Sequence, residues 1–167
     1  MSVPEVRAAQ AADLPQLTEI YNHYVSQTPI TFDIEPFSVE ARRGWFEQFG
    51  VAGRYRLVVA TEAGRVVGYA GSMRFRAKPA YLRSVETSVY LRPDAQGRGL
   101  GSRLYDALFQ ALGGEPVHRA YAGVTLPNPA SIALHRRFGF TELGTYREVG
   151  HKFDRYWDVT WLEKGLA

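Results

Sequence analysis

The chain has 167 residues, a length typical of one domain, and 20 Lys and Arg against 17 Asp and Glu give it a net charge of +3. It contains no Cys, which excludes disulfides and Cys-ligated metals, and no apolar run approaches the roughly 20 residues of a membrane span. The basic residues are scattered, which argues against a nucleic-acid surface and favours a local site for a phosphorylated or carboxylated small molecule. We therefore expect one domain over 1–167 with neither nucleic-acid nor membrane partners. Because no apolar leader follows Met1, we expect it in the cytoplasm.

The N-terminal third predicts a strand and two helices. The strand covers residues 3–8, and Asp13 with Gln16 three positions later is typical of the start of a helix. The segment 28–36 holds two prolines and is predicted to be a loop. Ser38 is the predicted N-cap of the second helix.

Three strands are predicted next. The apolar runs 57–60 and 66–70 flank a connection of hairpin length that contains Gly64. After the polar segment 74–79, residues 84–91 alternate strictly between two faces, which indicates a strand buried differently on its two sides.

The remainder predicts a strongly amphipathic helix, a strand, a further helix and two strands. Leu100, Leu104 and Leu108 share one helical stripe, and a pair of glycines at 113–114 ends it. Asn128 before a proline is typical of an N-cap, here of a helix that ends at Gly139. The predicted strands cover 117–124, 140–146 and 152–162. The element order is β-α-α-β-β-β-α-β-α-β-β, a mixed α/β domain.

A glycine-rich segment, Gln96-Gly97-Arg98-Gly99-Leu100-Gly101, separates the alternating strand from the amphipathic helix. Glycines let the backbone approach a bulky anion, and the positive end of the following helix favours a phosphate or pyrophosphate. The spacing matches neither a P-loop nor GxGxxG. A phosphate-binding turn is one interpretation, and a turn that merely starts a helix is the other.

Two blocks resemble the GNAT N-acetyltransferase superfamily. The glycine-rich segment is similar to its acyl-coenzyme A signature, and the segment from Asn128 to Phe140 is similar to its second conserved block. Four matches resemble more narrowly the phosphinothricin and methionine sulfoximine acetyltransferase branch: Tyr21-Asn22-His23-Tyr24, Glu86-Thr87-Ser88-Val89-Tyr90, Leu134-His135 followed by Gly139-Phe140, and Gly150-His151-Lys152. The resemblance implies the acyl-CoA N-acyltransferase fold, with a mixed, mostly antiparallel central sheet and helices on both faces.

The resemblance also implies acetyl-CoA as acetyl donor and a set of residues that would hold it. Backbone groups of one strand would pair with the pantetheine arm, the glycine-rich segment would hold the pyrophosphate, and two residues of the later helix would lie near the other end of the cofactor. In that order these residues are Val89, Tyr90 and Leu91; Gln96, Gly97, Arg98, Gly99, Leu100, Gly101 and Ser102; and Asn128 and Ser131.

Glu86 and His135 are the predicted catalytic residues. An amine arrives mostly as an ammonium and must lose a proton before it attacks a thioester, and Glu86 could accept that proton directly or through one water. Glu is depleted inside strands, so Glu86 calls for an explanation, although an exposed edge-strand face is the alternative. His135 could deprotonate the amine or protonate the departing thiolate, because its ordinary pKa lies near about 6.5. A satisfied histidine on a helix face is the alternative.

The backbone N–H groups near Val89 are expected to stabilise the oxyanion. No metal is expected, because His23, His118 and His151 have no metal-ligand spacing.

Arg76, Arg74 and Lys78 are the predicted substrate contacts. A guanidinium matches a carboxylate or phosphinate bidentately, and the branch acts on amino acids with a second anionic or strongly polar group. The branch also completes its pocket across a two-fold dimer, so the resemblance implies a homodimer in which Phe32 reaches the partner's site.

The predicted function is acetyl transfer from acetyl-CoA to the α-amino group of phosphinothricin, methionine sulfoximine or methionine sulfone in a ternary complex. The alternatives are acetylation of another amine, such as a protein N-terminus or a polyamine, and a non-catalytic acyl-CoA-binding module.

Overall fold

The elements of the chain follow the predicted order, with short 3-10 turns between some of them. A computed structural model describes residues 2–166, so Met1 and Ala167 of the predicted domain lie outside the described residues. The helices are α1 (Leu14–Gln27), α2 (Val39–Glu47), α3 (Leu100–Leu112) and α4 (Pro129–Arg137). The strands are β1 (Glu5–Ala8), β2 (Leu57–Glu62), β3 (Arg65–Arg74), β4 (Ser84–Leu91), β5 (Arg119–Thr125), β6 (Thr141–Lys152) and β7 (Arg155–Gly165).

The seven strands form one mixed sheet in the order β1-β2-β3-β4-β5-β7-β6. Every neighbouring pair is antiparallel except β4 and β5, which run parallel. The mostly antiparallel mixed sheet expected from the resemblance is therefore confirmed.

Alternation along the strands places helices on both faces of the sheet. Val58 belongs to the core cluster that contains Leu104 of α3, whereas its neighbour Val59 belongs to the cluster that contains Leu17 of α1. Successive strand residues point to opposite faces, so α3 and α1 lie on opposite sides of the sheet. In β4, Val85 is buried in the α3 cluster.

Two local predictions were wrong. Asp13 does not cap α1 with its side chain: its carboxylate accepts hydrogen bonds from the backbone N–H of Gln10 at 2.7 Å and from the Arg7 guanidinium at 2.8 and 2.9 Å. The charged partner outcompetes the helix end, since a charge-assisted bond is stronger than a neutral one. Lys152 ends β6 instead of beginning β7, because the turn falls at Phe153 and Asp154, both with a φ of 54°.

The sheet opens between β4 and β5. The two strands pair only from Ser84–Arg119 to Glu86–Tyr121, after which β5 continues beside β7 alone. The rest of β4 therefore has one edge next to a gap in the middle of the sheet.

Candidate active site

A cleft of about 760 Å³ lies at this opening. Its walls are the second half of β4, the glycine-rich segment, the first turns of α4, and side chains from α1 and α2. The cleft thus contains the opened strand edge, the predicted anion-binding turn and the N-cap of α4.

Val89 presents its backbone to the gap. The N–H of Arg92 donates to the carbonyl of Val67 at 2.8 Å, and the N–H and C=O groups of an antiparallel strand alternate between its two sides. Tyr90 consequently bonds toward β3, and Val89 and Leu91 point away from it. The Leu91 carbonyl already accepts a bond from the Tyr24 hydroxyl at 2.5 Å. Of the three residues expected to pair with a pantetheine arm, only Val89 thus offers both backbone groups.

The glycine-rich segment forms a tight turn at the N-terminus of α3. Gly97 and Gly99 have φ values of 73° and 75°, which other residues rarely adopt, and nothing lies within 4 Å of the position of a Cβ on either one. The glycines are therefore needed for backbone conformation and leave the space beside the turn open. The positive end of α3 faces this space, which suits a diphosphate.

Two arginines near this turn differ in whether they line the cleft. Arg98 does not line the cleft, because its guanidinium pairs with Glu62 at 2.6 Å. Arg137, at the end of α4, lines the cleft and donates to the Ser102 hydroxyl at 2.8 Å. The sequence predicted no role for Arg137, which stands next to Arg136, and the structure places its cation beside the turn.

The N-terminus of α4 is built as predicted. The Asn128 side chain accepts a hydrogen bond from the Ser131 N–H at 3.2 Å, and Pro129 occupies the first turn. Asn128 and Ser131 both line the cleft.

Glu86 lies in the cleft wall, largely buried, and β4 is an inner strand, so the edge-strand alternative is excluded. No hydrogen bond or ion pair to its carboxylate is found within residues 2–166. Burial raises the pKa of Glu86, and the Arg76 cation partly opposes this. Desolvation of the charged form is the physical cause, and it makes the carboxylate a stronger proton acceptor than an exposed one.

His135 is buried and uses both ring nitrogens. Because a carbonyl only accepts, Nδ1–H donates to the Ser131 carbonyl at 2.7 Å, and Nε2 accepts from the Tyr105 hydroxyl at 2.7 Å. The Tyr105 oxygen can in turn accept from the Thr87 hydroxyl at 3.2 Å. Burial lowers the pKa of His135, so the neutral ring fits this chain of hydrogen bonds.

The four predicted substrate contacts do not line the main cleft. Arg76 lies over Phe75, 4.1 Å from the ring centroid, and borders a second cavity of about 360 Å³. Arg74 donates to the carbonyls of Arg76 and Ala77 and so fastens that turn. Lys78 is exposed, and the Phe32 ring packs so tightly against Gly150 that a Cβ there would clash with it.

Membrane spans and metal centres are two further features to consider in the part of the chain that the structure describes, residues 2–166. No helix in this range is long and apolar enough to cross a membrane. No group of three or more His, Asp or Glu in the same range could hold a metal ion.

A mixed sheet that opens between two parallel strands, with a glycine-rich turn at one side and a largely buried carboxylate on the opened strand, is typical of an acyl-coenzyme A N-acyltransferase. The chain matches the acetyltransferase (GNAT) domain over residues 6–161 and belongs to this family. The family and the fold predicted from the sequence are confirmed.

Individual relatives are similar over nearly the whole chain. Phosphinothricin N-acetyltransferase of Streptomyces coelicolor is 58% identical over 164 residues, which cover 97% of this chain and 96% of that protein. The L-methionine sulfoximine/L-methionine sulfone acetyltransferase of Pseudomonas aeruginosa is 37% identical over 161 residues, with 96% and 94% covered. Among solved structures, a GNAT phosphinothricin acetyltransferase from Sinorhizobium meliloti in complex with acetyl-CoA superposes with a TM-score of 0.92 at 34% identity and covers 99% of this chain and 90% of that one.

Proposed function

We propose that the protein transfers the acetyl group of acetyl-CoA to the α-amino group of a small amino acid such as phosphinothricin, methionine sulfoximine or methionine sulfone. One observation carries the proposal: the opened edge of β4 and the buried Glu86 carboxylate share one cleft. The names of the similar acetyltransferases supply the substrate class.

Acetyl-CoA fits the cleft through groups that the chain leaves free. Val89 would bind the pantetheine arm with its backbone, and the amides of 97–102 together with Arg137 would hold the diphosphate. Further contacts to acetyl-CoA are proposed for the backbone N–H of Leu91 and for Gln96, Asn128 and Ser131. When bound, acetyl-CoA supplies an acetyl group activated as a thioester.

Glu86 is the proposed general base. It would take a proton from the substrate ammonium, directly or through one water, so that the neutral amine can attack. A pKa raised by burial brings the carboxylate closer to neutral pH, where a general base is most effective. Holding the amine and the thioester in one cleft supplies a further part of the rate.

His135 is proposed here as a positioning residue. Proton transfer by this ring would require one of its two hydrogen bonds to break, whereas in place they join α4, α3 and the middle of β4. His135 also lines the cleft, and with both ring nitrogens bonded it would act by holding these elements in place.

Arg76 remains a proposed substrate contact because its cation lowers the pKa of Glu86 and so lies near the proposed base. Arg74 would act by holding the turn that carries Arg76. For Lys78 and Phe32, which lie off the cleft, a substrate contact would require a partner chain.

A homodimer is the proposed assembly, supported by a patch of exposed apolar side chains on the β6–β7 hairpin. Such patches on a folded protein commonly mark an interaction surface. Residues 1–167 are proposed to form a single domain, and the cytoplasm, where acetyl-CoA and free amino acids occur together, is the proposed compartment.

The test is to incubate the purified protein with acetyl-CoA and each of the three amino acids, and to follow release of free thiol. We expect thiol release with at least one of them, and mass spectrometry should show the N-acetyl amino acid. Release only with peptides or polyamines would favour the alternative amine substrates. No release with any amine, while acetyl-CoA still binds, would favour a non-catalytic binding module.

A further inference from the structure

A buried arginine of α2 forms part of the cleft wall, on the face of the sheet that carries α1 and α2. Arg42 is only 5% exposed, yet its side chain lines the cleft. Its guanidinium carbon lies 4.1 Å from the ring centroid of Tyr21 and 3.7 Å from that of Trp45, so two aromatic faces enclose the cation. The sequence, in which Arg42 is followed by Arg43, predicted no role for this residue.

Arg42 has no anionic partner that accounts for its burial. Its Nε and Nη2 have no hydrogen-bond partner, and no ion pair to Arg42 is found within residues 2–166. Other buried charged groups do have partners: Asp13 has Arg7, and Lys152 donates to the Thr31 carbonyl at 2.8 Å. Aromatic faces stabilise a cation but do not satisfy its N–H donors. A buried cation without an acceptor is costly, so this arrangement indicates a missing anion.

A second unsatisfied group lies close to Arg42. The Tyr69 hydroxyl is buried without a hydrogen-bond partner and also lines the cleft. Burial raises the pKa of Tyr69, and the Arg42 cation is near enough to this hydroxyl to oppose that rise. A guanidinium and a hydroxyl together form a donor set that suits an oxyanion.

This donor set and Glu86 belong to the same cleft wall. Glu86 and Tyr90 lie on one face of β4, and Tyr69 is the direct partner of Tyr90 on β3. Tyr90 also packs edge-to-face on Tyr21, the ring that Arg42 covers. The proton acceptor and the unpaired cation therefore border one cleft, as an amino acid that carries both an ammonium and an anionic group requires.

We propose that Arg42, assisted by the Tyr69 hydroxyl, binds an oxyanion of the amino-acid substrate, an inference that rests on the proposed acetyl transfer. The oxyanion is either the α-carboxylate or a distal phosphinate, and the two present the same acceptor chemistry. Anion binding at Arg42 restricts the substrates to amines that carry such a group.

The experiment measures KM for three amines at saturating acetyl-CoA. Methionine sulfone has a carboxylate and a neutral sulfone, phosphinothricin has a carboxylate and a phosphinate, and 3-(methylsulfonyl)propylamine has no anionic group. Where an amine is acetylated too slowly for KM to be measured, its inhibition constant as a competitor of a faster substrate is measured instead. The variants are Arg42→Gln and, as a matched control, Arg43→Gln, which removes the adjacent exposed cation that pairs with Glu40.

We expect Arg42→Gln to raise KM by about 10- to 100-fold for substrates that place their anion at Arg42, the loss typical of a charge-assisted contact. KM for acetyl-CoA and for the amine without an anionic group should stay unchanged, and Arg43→Gln should change KM by less than about twofold. An effect on both amino acids identifies the carboxylate as the bound group, and an effect on phosphinothricin alone identifies the phosphinate. Unchanged KM values, or equal increases for all three amines, would overturn the proposal.

Thermal unfolding checks that each variant is folded, and a second variant at position 42 provides an independent comparison. Arg42→Lys keeps the charge without the planar fork and should raise KM for the affected amino acids by less than Arg42→Gln does. If Arg42→Gln does not fold, the same three-amine comparison with Arg42→Lys decides. If the wild-type protein acetylates none of the amino acids, the proposed function fails; if it does so and the Arg42 variants match it, only the present inference fails.

Discussion

Glu86 and His135 are both buried beside the cleft, and burial favours the neutral form of each. The same cause raises the pKa of the carboxylic acid and lowers that of the imidazole. The two residues nonetheless differ in what surrounds them. The ring nitrogens of His135 are both bonded, whereas the carboxylate of Glu86 faces the cleft with only the distant charge of Arg76 to stabilise its ionised form.

The pH dependence of kcat/KM should report this environment. Because Glu86 must be ionised to accept a proton, we expect activity to fall as the pH drops through a pKa above the ordinary range of Glu. Arg76→Gln removes the cation that holds this pKa down and should move the acidic limb to higher pH. Arg65→Gln, at the far end of β3, is the control and should leave the limb in place. A limb that stays fixed in Arg76→Gln would show that Glu86 does not produce it.

Replacement of the carboxylate itself should be more severe. Glu86→Gln is expected to lower kcat/KM by about 10²- to 10⁴-fold, the range of a general base, while acetyl-CoA binding is retained. Steady-state kinetics and calorimetry on the same preparation separate the two effects. Full activity in Glu86→Gln would contradict the assignment.

The sequence predicted the placement of Glu86 but not those of Arg42 and Arg137. Strict alternation along β4 assigned the Glu86 side chain to one face of the strand. The glycine-rich segment after β4 indicated where an anion would bind. In each of the two Arg pairs, Arg42–Arg43 and Arg136–Arg137, one residue pairs with a carboxylate near it, Glu40 or Glu142, and the other lines the cleft. Which of two adjacent arginines turns inward depends on tertiary packing, and no local pattern in one sequence distinguishes them.

At the scale of elements, periodicity sufficed for the order of strands and helices but not for the opening of the sheet. The α3 stripe and the two N-caps at Ser38 and Asn128 formed as predicted. The divergence of β4 from β5 has no local signal, because it results from β5 pairing with β7 along its whole length while β4 follows β3. The opening could be expected only from the family resemblance.

The β6–β7 hairpin carries the exposed apolar surface on which the proposed dimer rests. Leu143, Tyr146 and Tyr156 are each more than half exposed. We expect the purified protein to have twice the mass of the 18.8 kDa chain by light scattering, and the double variant Leu143→Glu/Tyr146→Glu to shift toward the monomer, since charges are costly in an apolar interface. Val51→Glu, which changes an exposed apolar side chain elsewhere, is the control. A monomeric wild-type protein would exclude the dimer.

The parallel β4–β5 pair joins the two halves of the sheet, and the gap between these strands begins where their pairing ends. One face of the sheet carries α3 with the glycine-rich turn, and the other carries α1 and α2 with the aromatic side chains of the cleft. A ligand that spans the gap can therefore contact the glycine-rich turn and the Glu86 carboxylate, the proposed general base, together. This arrangement connects the fold to acetyl transfer.

Calorimetric titration with acetyl-CoA tests that connection most directly, with Arg137→Gln and its matched control Arg136→Gln beside the wild type. Arg137 lies at the turn, whereas Arg136 pairs with Glu142 outside the cleft. We predict one acetyl-CoA bound per chain, an affinity about tenfold weaker in Arg137→Gln, and a change of less than about twofold in Arg136→Gln. A wild-type protein that binds no acetyl-CoA, or a pair of variants weakened equally, would contradict the account.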